Sequence, residues 1–395
     1  MAPARVIELD EQADSFLPHS ALDPSEALAI ASDQRLRVDV SWPSPANAFK
    51  WVLRPRGWVG SFMVAERLVV RIKPKTPVPR IFELQRIAGG DLEREPELAL
   101  VPAGTLQDAM EAVVRVLVRA VSNRLARGLR KDYVHDIRTG QVPRGRLRLR
   151  DSTLRFASGR PSLCWDERFL TVDIDDNRIL AFTLFQVSRI GLQDRSLATD
   201  VAHVQRLLAM MTSHRSYIPD RCRGRAYAGA DQDYGALHAM CALLLEGIGP
   251  TADEGTAPFP QFGFDMPTIF ERAVAALLRT RLRPGLRLVE KPTLSLGAGM
   301  RFRPDLVVVD VDGRAKAVLD TKYKTQLVES DVQQAVAYAT ALDVNKAFLI
   351  HPVPVGRGSI EAGRVSVTTL TFDLARDPST AADDLVAAMR ASLVA

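Results

Sequence analysis

Arg303-Pro304-Asp305-Leu306-Val307-Val308-Val309-Asp310-Val311-Asp312-Gly313-Arg314-Ala315-Lys316-Ala317-Val318-Leu319-Asp320-Thr321-Lys322 is the stretch whose reading decides the fold. Two apolar runs, Leu306 to Asp310 and Ala315 to Leu319, flank Asp312-Gly313. Asp-Gly between such runs signals a two-residue hairpin, because both central positions of a type I′ turn need positive φ. With that turn Val311 faces Arg314, and counting back along the ladder sets Asp305 opposite Asp320. A four-residue loop centred on the same pair keeps that register. Side chains alternate with period two, so Lys322 shares the face of Asp320. Two directly opposed acids repel. A divalent cation between them removes the repulsion, and carboxylate oxygens are the ligands Mg²⁺ prefers. Lys322 would then orient a water or stabilise charge on a phosphate. The spacing suits metal-assisted phosphodiester cleavage. The plain alternative is a surface hairpin whose charges are merely solvated.

The flanks extend the pattern. A helix is expected from about Asp265 and Pro267 to just before Pro284-Gly285, with Glu271 near its start, beside the apolar Ile269, Phe270, Val274 and Leu277. That position suits a third metal-facing carboxylate, although a glutamate near a helix N-terminus is also simply favoured by the dipole. A second helix is expected from about Ser330 to Leu342, where Asp331, Gln334 and Tyr338 share one face. Gln334 is placed to hydrogen-bond the lysine, a water or a phosphate. Strands follow from Lys346 to Ile350 and from about Val365 to Phe372, then a C-terminal helix. The order is that of a small mixed sheet flanked by helices.

With 395 residues the chain suggests two or three domains. Composition, 47% hydrophobic and 25% charged, is ordinary for a globular protein. Residues 1–105 read as a β-rich module, with strands at Ala48 to Leu53 and Arg67 to Lys73, a turn at Trp58-Val59-Gly60 and a stop at Lys73-Pro74-Lys75. Residues 106–250 read as mostly helical, with helices at Leu106 to Gly128, Leu180 to Ile190, Val201 to Met211 and Tyr234 to Gly247. Residues 250–262 read as a linker, and 263–395 as the domain that carries the hairpin. Together these make an α+β multidomain chain.

Charge is uneven. Between Arg115 and Arg150 eleven Arg or Lys face two acids, more than the whole net excess of +5. Within that stretch Arg144, Arg146, Arg148 and Arg150 alternate with Gly145, Leu147 and Leu149. On a strand this sets four guanidinium groups on one face, for phosphates or an acidic partner, or else as a solvated outer face. Other chemistries are poorly supported. Cys164, Cys222 and Cys241 form neither a zinc pattern nor a disulfide framework. His135, His203, His214 and His238 lack metal-binding spacing and read as structural, and there is no G-x-S-x-G or phosphate-binding G-x-x-x-x-G-K-[ST]. Any nucleotide hydrolysis must come from a partner. No apolar run is long enough to cross a bilayer and no secretory signal is visible, which points to the cytoplasm.

Taken together, these segments resemble the McrC family, the nuclease subunit of modified-cytosine restriction systems, within the PD-(D/E)xK superfamily. The resemblance rests on Gly263-Phe264-Asp265-Met266 with Phe270-Glu271, on Arg303-Pro304-Asp305, on Leu319-Asp320-Thr321-Lys322-Tyr323-Lys324, and on Asp331, Gln334, Ala337 and Tyr338. Upstream, Ile72-Lys73-Pro74-Lys75, Arg127-Gly128-Leu129 with Tyr133, Arg144-Gly145-Arg146, Cys164-Trp165-Asp166-Glu167 and Tyr234-Gly235-Ala236-Leu237 are similar to it as well. The resemblance runs from about residue 58 to 352. It implies a C-terminal restriction-endonuclease-like domain. In it Asp305, Asp320 and Glu271 with the Thr321 carbonyl would bind Mg²⁺, Lys322 would activate water and Gln334 would support it. It also implies a hexameric AAA+ GTPase partner, McrB, which binds the GTP, reads modified cytosine in double-stranded DNA and is stimulated by McrC. Arg144, Arg146, Arg148 and Arg150 would contact DNA or that partner. Two rival expectations are a non-catalytic adaptor of an AAA+ protein and a stand-alone DNA-repair nuclease. Intact Asp305, Asp320 and Lys322 count against the first, and the large upstream region against the second.

Overall fold

The computed structural model describes residues 5–33, 36–65, 68–89, 106–248, 262–295, 301–356 and 358–394. The chain forms two compact units, residues 1–109 together with 261–395, and residues 110–260. The expected linker at 250–262 lies outside the described residues apart from Phe262, as does the expected boundary at 105.

The first unit is built on a six-stranded mixed sheet in the order Leu286–Glu290, Leu306–Asp310, Ala315–Thr321, Lys346–His351, Val365–Thr371, Ser359–Ala362. The expected strands and helices are present, with Asp265 capping the helix Met266–Arg281 through the Thr268 amide at 3.4 Å. Leu286–Glu290 and Ser359–Ala362 are additions at the two edges. Val307, Val309, Val318, Leu349 and Val367 pack with Ala335, Tyr338 and Ala339 of the helix Glu329–Ala341. The alternate residues Leu306, Val308, Leu319, Phe348 and Ile350 are buried too, so both faces of the sheet are covered.

The central hairpin reaches the expected register by an unexpected route. Arg314 O accepts from Asp310 N at 3.0 Å, and Asp310 O from Gly313 N at 3.0 Å. The loop is therefore the three residues Val311-Asp312-Gly313, of which only Gly313 is left-handed (φ 79°). This is a type I turn closed by a glycine rather than a type I′ pair. The Asp310 carboxylate favours it by accepting from the Asp312 and Arg314 amides at 3.0 and 2.9 Å. The loop displaces the ladder by one residue at Val309↔Ala315, and a bulge at Lys316 restores it at Val308↔Ala317. Beyond Leu306↔Leu319 the ladder leads to Asp305 beside Asp320.

The N-terminal residues form two small sheets. One has the order Ser15–Leu17, Trp51–Pro55, Val38–Ser41; the other Arg5–Asp10, Leu68–Lys73, Trp58–Ala65, Phe262–Asp265. Two readings of this region are corrected. Ala48 and Phe49 are left-handed residues after a 3₁₀ turn at Pro45–Asn47, so the strand begins only at Trp51. Trp58-Val59-Gly60 is strand, and the bend lies earlier, at Gly57 (φ 93°). Gly60 serves close approach instead: a Cβ there would lie 2.3 Å from Phe262 O and 2.5 Å from Gly263 Cα. Gly60→Ala is expected to cost about 1–3 kcal/mol through this overpacking, read as a lower urea midpoint.

The second unit packs the helices Asp175–Arg189, Arg195–Ala209 and Asp233–Ile248 with most of Leu106–Arg127. It also carries a sheet that the helical reading did not anticipate, in the order Asp132–Gly140, Leu163–Thr171, Arg146–Leu147. The arginine row is not one strand. Arg146–Leu147 is two residues long, and Arg148 caps the helix Leu149–Ala157. The chain turns there because Arg148 pairs with Asp151 at 2.5 Å and with Asp166 at 3.4 Å. Arg144, Arg146 and Arg150 are exposed, but so are Leu147 and Leu149, so there is no buried leucine face. Gly145 is required because a Cβ would meet Asp166 O at 1.9 Å. The three cysteines are buried and free.

Candidate acid–lysine site

The site lies at the end of the central hairpin. Asp320 is buried in the last part of Ala315–Thr321, only 3% exposed. Asp305, one residue before its strand, accepts from both the Thr321 amide and the Thr321 hydroxyl at 2.8 Å through Oδ2. The Thr321 side chain thus locks one acid beside the other. Lys322 Nζ lies 2.5 Å from Asp320 Oδ2 and 3.8 Å from Asp331 Oδ1, and donates to Gln334 Oε1 at 2.8 Å. Gln334 in turn donates to the Tyr338 hydroxyl at 2.7 Å. The helical spacing of Asp331, Gln334 and Tyr338 therefore delivers all three to one place, as the sequence suggested.

Burial, followed by the charge of Asp305, pushes the Asp320 carboxyl up to about 6, against the opposing pull of Lys322. Burial disfavours the Lys322 charge, but Asp320 more than offsets this and the ammonium titrates above its ordinary value. Glu271 belongs to the second turn of Met266–Arg281, and its carboxylate pairs with Lys291 at 2.8 Å. Burial raises its pKa, Lys291 opposes the rise and Asp305 adds to it.

Whether these residues suit a cation turns on two observations. Among the described residues, no group of three or more His, Cys, Asp or Glu side chains could hold a metal ion. Glu271 is engaged by Lys291, leaving Asp305 and Asp320 as the paired acids. Against this, Asp320 Oδ2 is buried beside Asp305, and the Lys322 ammonium 2.5 Å away is its one close counter-charge among the described residues. Two neighbouring acids, one of them buried, repel each other, and a cation between them offsets that repulsion. Mg²⁺ keeps several waters and takes one or two carboxylates, so this donor set fits it.

A second set of contacts was not legible in the sequence. Tyr323, next to Lys322, is buried, and its hydroxyl lies 3.2 Å from Thr76 Oγ1 and 3.5 Å from Glu11 Oε2. Lys75 Nζ sits 4.2 Å above the Tyr323 ring, and Gln12 Nε2 donates to the Tyr323 carbonyl. Phe270, next to Glu271, packs on the same ring at 5.6 Å. Residues that follow the strands Arg5–Asp10 and Leu68–Lys73 thus clasp the chain beside the lysine. Only Lys73-Pro74-Lys75, noted as a strand stop, hinted at it. In the second unit Arg144, Arg146, Arg148 and Arg150 form no comparable centre.

Asp305, Asp320 and Lys322 thus stand together at one end of a mixed sheet. A family model described as "McrBC 5-methylcytosine restriction system component" matches residues 53–352, and the chain belongs to that family. No curated protein matches it. Among solved structures, it resembles a chain of a refined half-complex from a tetradecameric assembly of Thermococcus gammatolerans McrB AAA+ hexamers with bound McrC. That likeness has 13% identity over 98% of this chain and 100% of that one, with a TM-score of 0.60, and shows a shared fold. A chain from the cryo-EM structure of the Thermococcus gammatolerans McrBC complex is similar at 14% identity, covering 71% and 89%, with a TM-score of 0.42.

Proposed function

We propose that the chain is the DNA-cutting, McrC-type subunit of a GTP-driven restriction complex directed at modified cytosine, with a PD-(D/E)xK nuclease site. The observation that carries this reading is Lys322 Nζ 2.5 Å from Asp320 Oδ2, with Asp305 fixed alongside by Thr321. Family membership supports the restriction setting. The sequence carries no phosphate-binding loop of its own, so GTP is bound by a McrB-like AAA+ partner. The solved relative comes from an assembly of McrB AAA+ hexamers with bound McrC. No described helix is long and apolar enough to cross a membrane.

Asp305 and Asp320 would hold Mg²⁺, with the Thr321 carbonyl as a further donor and Glu271 reaching it directly or through water. When bound, the cation supplies a Lewis acid for the phosphate and lowers the pKa of a bound water. Lys322, held by Gln334 at 2.8 Å, would orient the attacking water or stabilise charge on the phosphate. Thr321 keeps Asp305 from rotating away, and Tyr338 keeps the Gln334 amide aimed at the lysine.

The test is a cleavage assay with the full-length chain. DNA carrying modified cytosine should be cut when the GTPase partner, GTP and Mg²⁺ are all present, and omission of any one should stop it. Cutting that persists without partner and GTP would move the assignment to a stand-alone nuclease. GTPase stimulation without any cutting would move it to an adaptor.

A further inference from the structure

Lys291 is the residue of this region that the proposed chemistry leaves unused. It follows the edge strand Leu286–Glu290, whose last registered pair is Glu290↔Leu306, and its amide donates to Asp305 O at 2.8 Å. Its backbone is left-handed, φ 45°, directly before Pro292. Few non-glycine residues adopt this conformation, and the residue before proline is normally extended. Such a backbone persists only where the surroundings impose it, and it concentrates at sites that act on ligands. Here it carries the side chain to Glu271, 2.8 Å away.

Lys291 and Lys322 differ in commitment. Lys322 is 14% exposed and engaged by Asp320, Gln334 and Asp331. Lys291 is 43% exposed, and Glu271 is its ion-pair partner among the described residues. The carboxylates Glu271, Asp305 and Asp320 thus lie between an inner, fixed ammonium and an outer, solvent-facing one. A polyanion approaching three carboxylates is repelled unless a cation meets it, and a solvent-facing lysine ammonium is a point-charge ligand for phosphate.

We propose that Lys291 binds a backbone phosphate of the DNA beside the acid–lysine centre, exchanging Glu271 for that phosphate when the substrate arrives. The proposal rests on the nuclease reading and adds a DNA-contacting residue to it. It also gives Glu271 a second task, holding Lys291 in place until DNA displaces it.

The experiment measures binding of a short fluorescent duplex by the full-length chain in complex with its GTPase, with Ca²⁺ in place of Mg²⁺ to hold off cutting, across a salt series. Lys291→Gln should weaken binding several-fold at low salt and reduce the log–log salt slope by about 0.9, the value for one phosphate contact. Lys291→Arg should restore both. Adding Glu271→Gln should not rescue Lys291→Gln. An unchanged slope in Lys291→Gln overturns the proposal. So does rescue by Glu271→Gln, which would mean that the lysine only neutralises the glutamate. A wild-type complex that binds no duplex overturns the nuclease reading, and this proposal with it.

Discussion

Asp320→Ala should abolish DNA cleavage, by about 10³–10⁴-fold or more, while the protein still folds with a thermal midpoint close to the wild type's. The rate loss corresponds to about 4–5 kcal/mol of transition-state stabilisation. It follows from removing both the buried Oδ2 acceptor and the closest partner of Lys322. The second half of the prediction follows from the sign of the pKa shift. A carboxyl raised to about 6 by burial and by Asp305 is harder to ionise in the folded chain than in the unfolded one. Its contribution to stability is therefore full below about pH 4 and is lost as the pH rises towards 6. At neutral pH the charged carboxylate is a cost that the fold carries, but alanine also takes from the buried Lys322 ammonium its closest partner, so the two effects oppose and the thermal midpoint should move little. Cleavage and thermal unfolding of the same preparation check this. Retained cleavage would sink the site assignment, and a lowered midpoint would turn the lost activity into a folding defect.

Asp176→Ala should have the largest effect on stability, about 3–5 kcal/mol, because it removes the buried carboxylate that Arg130, Arg225 and the Tyr227 hydroxyl share. Asp176 is 4% exposed and bonded to Arg130, Arg225 and the Tyr227 hydroxyl. His238 completes the group, with Nδ1 2.8 Å from the Tyr227 hydroxyl and Nε2 2.9 Å from Asp176 O. Beside it Tyr234 donates to Asn177 and accepts from the Arg130 amide at 3.0 Å. Burial pushes the Asp176 carboxyl up, but Tyr227 and Arg225 more than offset it, so it titrates below the usual range. Asp173 is lowered to about 2, chiefly by its bond to Arg178. For depressed carboxylates the stabilisation is present above about pH 4 and is lost as the pH falls towards 2. In the wild type, calorimetry should show the thermal midpoint falling through that window. Asp176→Ala should lower it at pH 7 by roughly 6–20 °C, at about 2–4 °C per kcal/mol. An unchanged midpoint at pH 7 would show that the network is not what holds this unit.

The acid–lysine register was legible because period-two alternation needs only local spacing, and Asp331, Gln334 and Tyr338 were legible because helical spacing is local too. Even so, the agreement at Asp305 and Asp320 depended on two departures that cancel, the three-residue loop and the Lys316 bulge. The Tyr323 clasp and the Lys291–Glu271 pair were not legible, since they join residues about 20 to over 300 positions apart and leave no periodic trace. The arginine row misled because alternation alone does not reveal that Arg148 prefers Asp151 and a helix start. His238 was read as structural, and nothing local showed that it bonds the Tyr227 hydroxyl and the Asp176 carbonyl.

The strand Phe262–Asp265 pairs antiparallel with Trp58–Ala65, and so closes a sheet begun near the other end of the chain. During synthesis at about 5–20 residues per second, the roughly 200 intervening residues take on the order of 10–40 seconds to emerge. For that time Trp58–Ala65 has only Leu68–Lys73 as an antiparallel neighbour and presents an open row of amides and carbonyls, a template for pairing with other chains. A chain interrupted before Phe262 keeps that row permanently. Premature termination in the inserted unit should therefore yield a fragment that self-associates, so that one truncated message removes the site and also produces an aggregating product.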